Sequence, residues 1–457
     1  MKKILFLLFL LLLFSCTDKK ELDYAIISGK IARAQSGTIS ILNNRSGKTW
    51  DTKLAAGGTF CDTLRNADGY YFIMMGKRSV AVFLKPGFDV RMAWNEQDPK
   101  TPITFTGKGA FENNYLVQKA SVEEQIRKYE DIHYIGHLEE NRFLTVSDSI
   151  YRLKLDLFKK NIRHFDKEFI FLEENALKYH KLIREALYET TRRMVMENND
   201  FAVSDSFYPR LYTDIDLSDE ALLKVQDYIP FVDSYIYRIT KEELSKNDSM
   251  DFYVAFVEAI SKKVTNEKIR EQLAYRTGKY FMGRTNELEQ LYGKIKPMLS
   301  DSNYQNELEK RYGQLKKIQK GAVSPSFELC DANGKQISLE SLKGKLVYID
   351  IWSPYCLPCM AELPLMKEVQ KEYKGKNITF VGICVGETAE RWQKLIKEKG
   401  MAGIQLIAPD ERISFFSDYQ VRGIPRYILI DTDGRIIDAN AERPSSSKLK
   451  EQLDTYL

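Results

Sequence analysis

Two cysteines, Cys356 and Cys359, stand close together in the stretch "IDIWSPYCLPCM". Such a pair could bind a metal, cross-link the fold or exchange disulfides with a partner. A structural zinc site needs four ligands, and the chain beyond residue 321 offers neither a second CxxC nor a histidine. A cross-link between such near neighbours closes too short a loop to stabilise a fold much. Disulfide exchange is therefore the chemistry that the pair favours.

The residues around the pair predict the strand and helix that this chemistry needs. "KLVYIDIW" is a continuous apolar run of the kind found in buried strands, and a helix is predicted from Leu357 to Tyr373. Free N–H groups and the helix dipole stabilise a thiolate at a helix N-terminus. Cys356 would lie at the N-cap, with Cys359 one turn inside the helix.

Strand and helix patterns alternate throughout the C-terminal part of the chain, residues 322–457. A hairpin is predicted around Asn333 and Gly334, and a further hairpin and helix end the domain. This order predicts an α/β domain with a mixed central sheet flanked by helices.

Two further domains are predicted upstream. Residues 17–108 contain short runs rich in β-branched and aromatic residues, separated by turn sequences such as "NADG" and "KPG". They predict an antiparallel β domain, a small sandwich or barrel. Residues 109–321 are charged, poor in Gly and Pro, and apolar at helical spacing, which predicts a mostly α-helical middle domain. The formal charge of +4 over 457 residues gives no reason to expect a nucleic-acid partner.

The N-terminus has the pattern of an export signal. "MKKILFLLFLLLLFSC" joins two lysines to an apolar run shorter than the roughly 20 residues that a membrane-spanning helix needs. Its last four residues resemble the bacterial lipoprotein box, which implies lipid attachment at Cys16. We expect residues 1–16 to form a lipoprotein signal peptide with its lipobox cysteine. A plain secretory signal or an uncleaved anchor is the alternative.

Residues 324–457 resemble the thioredoxin superfamily, specifically the membrane-tethered TlpA/ResA-like thiol–disulfide oxidoreductases. The shared features are "VRGIPRYILID" and the residues Trp352, Cys356, Pro358, Cys359, Glu362 and Pro364. The resemblance implies a redox-active Cys356–Cys359 disulfide and no other cofactor. Cys356 would attack the partner's disulfide, and Cys359 would resolve the mixed disulfide. Pro425 takes the place of the family's cis-proline, facing the cysteines, and would leave the Ile424 backbone free to pair with an extended substrate.

Two carboxylates are candidates for moving the proton of the resolving cysteine. Asp350 takes the place of thioredoxin's buried aspartate, where burial would raise its pKa toward the range of a useful base. Glu362 lies three residues after Cys359, where this branch of the family carries a functional glutamate. A solvent-facing Asp350, and a Glu362 that only complements the helix dipole, are the alternatives.

The remaining candidate residues divide into a predicted substrate surface and others without a predicted role. The substrate surface would comprise Trp352, Tyr355, Pro358 and Ile424, although Trp352 could instead belong to the core. No metal site is expected at the histidine pair 133 and 137. Cys330 and Cys384 are predicted to be small buried hydrophobic residues. Cys61 has no predicted role.

Together these features predict an enzyme, a membrane-anchored thiol–disulfide oxidoreductase of the cell envelope that faces the periplasm. It would reduce protein disulfides with electrons from a membrane donor. A disulfide oxidant or isomerase of the same fold is one alternative. A binding or scaffold lipoprotein with a structural thioredoxin fold is another. A peroxidase is less favoured, because the proline that its motif needs is absent at Ile349.

Overall fold

The computed structural model describes residues 22–34, 37–76, 78–95, 97–98, 101–196, 198, 200–246, 250–285, 287–408 and 413–457. The predicted signal peptide and its lipidation site, Cys16, lie outside these residues. The chain divides into two compact units, of which the first ends at Tyr235 and the second covers Ile236–Leu457. Among the described residues, none of the helices combines the length and the apolar composition that crossing a bilayer requires.

The first unit begins with two four-stranded sheets. Their strands are β1 (Tyr24–Ala32), β2 (Thr38–Asn43), β3 (Thr49–Lys53), β4 (Thr59–Arg65), β5 (Gly69–Met75), β6 (Arg78–Leu84), β7 (Asp89–Asn95) and β8 (Thr104–Lys108). The strand orders are β4-β1-β7-β8 and β3-β2-β5-β6. Buried and less buried residues alternate along β5, as expected for a sheet with one face in a core. The predicted antiparallel β character is confirmed, except that β1 and β7 run parallel.

Helices follow in the same unit. They are α1 (Ala110–Glu130), α2 (Ile132–His137), α3 (Glu140–Asn161), α4 (Lys167–Ala186), α5 (Tyr188–Met196) and α6 (Phe207–Tyr212), with 3-10 turns at Ile162–His164 and Glu220–Lys224. Glu173 on α4 is fully buried and accepts hydrogen bonds from Tyr70 on β5 at 2.7 Å and Tyr115 on α1 at 2.9 Å. The ammonium of Lys119, also on α1, contacts the same carboxylate at 2.6 Å. This network joins the sheet that contains β5 to α1 and α4.

Helix α7 (Tyr228–Leu244) crosses the boundary between the units, and more helices follow in the second unit. These are α8 (Phe252–Lys263), α9 (Glu267–Phe281), α10 (Leu288–Ile295) and α11 (Ser302–Lys316), with 3-10 turns at Met282–Arg284 and Lys296–Met298. The helical character predicted for residues 109–321 is confirmed.

The rest of the second unit is the predicted α/β domain. Its strands are β9 (Glu328–Asp331), β10 (Gln336–Ser338), β11 (Leu346–Trp352), β12 (Ile378–Cys384), β13 (Ile404–Ile407), β14 (Arg426–Ile430) and β15 (Ile436–Asp438). Its helices are α12 (Leu357–Glu372), α13 (Ala389–Glu398), α14 (Ser414–Asp418) and α15 (Lys448–Asp454), and a 3-10 turn lies at Glu340–Leu342. The strands form one mixed sheet in the order β10-β9-β13-β12-β11-β14-β15, in which β11, β12 and β13 are parallel.

The central strand β11 contributes to three separate apolar clusters. Val347, Ile349 and Ile351 belong to a cluster that also contains residues of α8, α9, α10 and α11: Val257, Ala274, Leu291 and Leu308. Successive residues of a strand point to opposite faces, so Tyr348, Asp350 and Trp352 occupy the other face. Helices α8 to α11 therefore share a core with one face of this sheet.

That shared core explains at which residue the chain divides into its two units. The sequence predicted domain boundaries at residues 108/109 and 321/322, whereas the units meet at Tyr235 and Ile236, inside α7. Apolar residues at helical spacing predict that a helix packs against something, but they do not say against which neighbour. The division into residues 17–108, 109–321 and 322–457 stays a prediction.

Candidate active site

Cys356 lies in the loop between β11 and α12, and Cys359 lies in the first turn of α12. Cys356 is the N-cap residue of α12, and its Sγ accepts the backbone N–H of Cys359 at 3.2 Å. The two cysteines form a disulfide with an S–S distance of 2.01 Å. Cys356 is half-buried, whereas Cys359 is only 2% exposed. A partner arriving from solvent therefore reaches the sulfur of Cys356 first.

The loop before β14 lies at the same end of the sheet. Its Ile424–Pro425 peptide bond is cis, and Arg426, the next residue, is paired with Ile351 near the end of β11. Ile424 packs against the apolar cluster that contains Cys359 and borders Cys356. Pro425 is half-buried. The fold thus brings together two segments that are far apart in the sequence.

Three residues of the predicted substrate surface occupy different environments. Pro358 is exposed, and Tyr355 is 62% exposed with its hydroxyl donating to the Glu387 carboxylate at 3.0 Å. Trp352 is fully buried against Cys359 and Cys384. The prediction that Trp352 contacts substrate is wrong, because its side chain does not reach solvent. It belongs to the core beneath the disulfide, which was the alternative for this residue.

Asp350 is buried on β11 and is 7% exposed. Its Oδ1 has no hydrogen-bond partner within the described residues. Burial, and to a smaller degree the negative charge of Glu362, raise the pKa of Asp350 to about 8. A cavity of about 20 Å³ lies between Asp350, Gly382 and Gln405, which is room for about one water molecule. The alternative of a solvent-facing Asp350 is wrong.

Glu362 is also buried, and a loop that is distant in sequence holds its carboxylate. Ser445 donates to it twice, through its backbone N–H at 2.9 Å and its hydroxyl at 2.7 Å. The guanidinium of Arg443 lies 3.9 Å away. These contacts make Glu362 more than a partner of the helix dipole. The sequence does not predict them, because the serine-rich stretch before α15 has no distinctive spacing.

Comparison with known proteins identifies the family. The Redoxin family model matches residues 319–456. The thiol-disulfide oxidoreductase ResA of Bacillus cereus is 32% identical over 142 residues, which cover 31% of this chain and 79% of that protein. The chain belongs to the ResA-like thiol-disulfide oxidoreductases.

Other relatives match the same part of the chain. ResA of Bacillus subtilis is 31% identical over 122 residues, 27% of this chain and 67% of that protein. Among solved structures, the thioredoxin domain of a thiol-disulfide oxidoreductase from Bacteroides vulgatus is 28% identical and has a TM-score of 0.28, covering 30% of this chain and 96% of that one. The predicted family, fold and enzyme class are confirmed for the C-terminal part of this ResA-like chain.

The remaining cysteines of this ResA-like protein differ in exposure. Cys384 is buried as predicted, and burial raises the pKa of its thiol to about 12. Cys330 is exposed, so its predicted burial is wrong. The alternation of β9 buries Leu329 and turns the next side chain to solvent. Cys61 on β4 is exposed as well.

The histidine pair lies on α2, away from the cysteines in sequence. The Nδ1 atom of His137 contacts the backbone oxygen of His133 at 2.7 Å, so the two imidazoles do not face a shared ion through that nitrogen. In the part of the chain that the structure describes, no group of three or more His, Cys, Asp or Glu residues is placed to hold a metal.

Proposed function

We propose that this ResA-like protein is a membrane-anchored reductase of the cell envelope that exchanges its Cys356/Cys359 dithiol with protein disulfides. The observation that carries the proposal is the position of Cys356 at the N-cap of α12, with the N–H of Cys359 directed at its sulfur. This position favours the thiolate form, which is the attacking species.

Exchange proceeds in two steps. The Cys356 thiolate attacks one sulfur of the partner's disulfide, so that a mixed disulfide forms and one partner thiolate leaves. The Cys359 thiolate then attacks the sulfur of Cys356, which closes the Cys356–Cys359 disulfide and releases the second partner thiolate. Two electrons pass from the enzyme to the partner, and the partner's thiolates take up protons. The disulfide itself is the only redox group that these steps need.

We assign Asp350 and Glu362 to proton transfer from Cys359. A thiol must lose its proton before it attacks, and Cys359 is shielded from bulk water. The pKa of about 8 for Asp350 lies close to the roughly 8.5 of an ordinary thiol, so a proton can pass between them at little cost. Glu362 acts on this equilibrium through its charge, because that charge raises the pKa of Asp350.

The substrate surface comprises Tyr355, Pro358, Ile424 and Pro425 around the half-buried Cys356. Tyr355 presents an aromatic ring that is 62% exposed, and its hydroxyl donates to the Glu387 carboxylate. An extended partner segment pairs with the backbone of Ile424, in the manner of an added strand. These positions support a protein partner, since a small thiol would not need so broad a surface.

The anchor and the location rest on the sequence of residues 1–16. Lipid at Cys16 fixes the protein to a membrane with its domains in the periplasm, and a donor in the membrane returns electrons to the disulfide. A reductase also needs a low reduction potential. A value nearer to about −270 mV than to about −120 mV favours reduction of partners over oxidation.

An insulin reduction assay tests the catalytic part of the proposal. With dithiothreitol as the electron source, the protein should accelerate insulin precipitation, and Cys356→Ser should abolish the acceleration. Cys330→Ser is the matched control, because Cys330 is an exposed cysteine outside the pair. Equal rates for the wild type and Cys356→Ser would reject the proposal.

Two measurements test the finer parts. Equilibration in redox buffers gives the potential, and a value near about −120 mV would indicate an oxidant instead of a reductase. Detergent phase partitioning of cells that express the wild type or Cys16→Ala tests the anchor. The wild type should enter the detergent phase and the variant should not; a wild type found in the aqueous phase would reject the lipid.

A further inference from the structure

A second cavity, unrelated to the disulfide, lies within the second compact unit. Its volume is about 830 Å³, within the range of roughly 300–1,000 Å³ that is usual for small-molecule sites. The walls come from the 3-10 turn after α9, the end of α11, strands β14 and β15, and α15. They include Gly283, Arg284, Leu315, Ile318, Arg426 and Asp438.

Arg311 lies directly behind the lining residues of this cavity and is not one of them. It is on α11, one turn before Leu315, so these two side chains share a helix face. Its Nη2 atom is 3.7 Å from the position that a Cβ atom on Gly283 would take. Gly283, Leu315 and Ile318 all line the cavity. The guanidinium of Arg311 is therefore beside the cavity.

The Arg311 guanidinium is buried without a partner. The residue is 5% exposed, and its Nε and Nη1 atoms have no hydrogen-bond partner in the described part of the chain. A buried charge that lacks a partner costs several kcal/mol in general. Native proteins seldom carry such a group unless something binds it.

The charges around Arg311 increase its need for a counter-ion. Burial, followed by the positive charges of Arg422 and Arg426, lowers the pKa of Arg311 to about 10. Burial also lowers the pKa of Arg426 to about 10, although the charge of Asp438 opposes this, and the charge of Arg284 adds a smaller lowering. Three further arginines thus act on one buried guanidinium or on its neighbour.

The nearby carboxylates do not neutralise this group. Glu307 is the acidic residue whose charge acts on Arg311, but it accepts the Tyr275 hydroxyl and lies 3.3 Å from Lys279. Asp438, on the wall, opposes the charge of Arg426 and also accepts hydrogen bonds from Gln452 and from the backbone N–H of Asn440, so two carboxylates face four arginines. The arginine group is therefore left with an excess of positive charge.

We propose that this cavity binds a small organic anion whose carboxylate or phosphate group is held by Arg311, Arg426 and Arg284. The planar guanidinium fork matches both groups. The cavity is much larger than an inorganic ion, so the ligand has a further part besides this anionic group. Lys320, Lys448, Glu442 and Glu451 also line the cavity, so both signs of charge are available to the rest of the ligand.

The site goes beyond disulfide exchange, although it lies next to the substrate loop. Arg422 and Arg426 flank the Ile424–Pro425 bond in the sequence, and Arg422 donates to the backbone oxygen of Lys279 at 3.4 Å. The ligand would thus lie beside the helices that pack behind this loop, on a different part of the unit from Cys356.

Thermal unfolding of the whole purified protein tests the proposal. Phosphate and acetate are compared with chloride at equal ionic strength, for the wild type, Arg311→Met and Arg270→Met. Arg270 is the matched control, since it is a partly buried arginine of α9 whose guanidinium already donates to the backbone oxygens of Val264 and Thr265. We expect phosphate, acetate or both to raise the Tm of the wild type and of Arg270→Met, and not that of Arg311→Met. The anion with the larger effect identifies the head group.

A surface variant keeps the test decisive if Arg311→Met does not fold. Arg284 is exposed, so Arg284→Glu should fold. It should need at least about tenfold more anion for half of the Tm shift, because it removes one charge-assisted hydrogen bond and adds a repelling charge. The proposal is overturned if neither anion exceeds chloride in the wild type. Equal shifts in the wild type and in either cavity variant would also overturn it, because they would reflect a general salt effect.

Discussion

The backbone N–H of Cys359 donates to the sulfur of Cys356 at 3.2 Å, in the first turn of α12. When the disulfide is reduced, the charge of a Cys356 thiolate would face this N–H and the positive end of the helix dipole. The second sulfur lies beneath, 2% exposed. The two cysteines therefore differ in their access to a partner and in how strongly their thiolate is stabilised. Cys356 suits the attack on the partner, and Cys359 suits the second step.

Cys359→Ser should trap partners. The first attack by Cys356 does not need Cys359, but the second step does, so the mixed disulfide should accumulate. Non-reducing gels of the variant should show adducts that dithiothreitol releases. Cys384→Ser is the control, because Cys384 is a buried thiol outside the pair. Adducts of equal amount in both variants would argue against a resolving role for Cys359.

Asp350→Asn should change how stability depends on pH. The pKa of Asp350 is about 8 in the folded state against a usual 3.8, so between these values the folded state binds more protons than the unfolded state. The wild type should then lose stability relative to Asp350→Asn as pH rises from about 4 to 8, by at most about 1.4 kcal/mol per pH unit. Hydrogen exchange in β11 measures this.

The control for that experiment is Asp433→Asn, which changes an exposed carboxylate in a turn. It should keep the slope of the wild type. Glu362→Gln should shift the upper end of the window to lower pH, because the charge of Glu362 raises the pKa of Asp350. Parallel pH profiles for the wild type and Asp350→Asn would contradict a protonated, buried Asp350.

Tyr355→Ala should weaken binding of protein substrates. Tyr355 is exposed next to Cys356 and does not take part in the bond exchange, so KM for insulin should rise several-fold while kcat changes little. Turnover of a small aromatic disulfide should be unaffected. Tyr280→Ala removes an exposed tyrosine of α9 as a control. A loss of kcat without a change in KM would mean that Tyr355 is not a binding residue.

Glu173→Gln should destabilise the first compact unit. The carboxylate is buried and accepts from Tyr70, Tyr115 and Lys119. Although burial raises the pKa of Glu173, the charge of Lys119 and these hydrogen bonds lower it overall. Loss of the charge leaves the buried Lys119 ammonium without a counter-ion, which lowers the free energy of unfolding by about 3 kcal/mol. Glu174→Gln, on the exposed side of α4, should cost far less.

The sequence predicts the local structure of the site well. The helix predicted from Leu357 to Tyr373 extends from Leu357 to Glu372, because an apolar strand, a turn and a capping residue follow one another in the chain. The hairpin around Asn333 and Gly334 is found between β9 and β10 for the same reason. Short-range patterns determine these elements.

Features that depend on distant partners could not be predicted in this way. The contact between Glu362 and Ser445 joins residues that are 83 positions apart in the sequence. Cys330 is exposed because Leu329, its neighbour on β9, occupies the buried face of the strand. The parallel pairing of β1 with β7 depends on how the sheet is assembled rather than on either strand. Arg311 resembles any other arginine on a helix until its burial is known.

Alkylation of the reduced protein tests the central claim most directly. Iodoacetamide is added over a range of pH, and the label on each cysteine is followed by mass spectrometry. We expect Cys356 to be labelled first, with a midpoint below the roughly 8.5 of an ordinary thiol, and Cys359 to be labelled slowly. Labelling of Cys359 ahead of Cys356, or a midpoint for Cys356 at or above that value, would contradict a solvent-accessible thiolate at the N-terminus of α12.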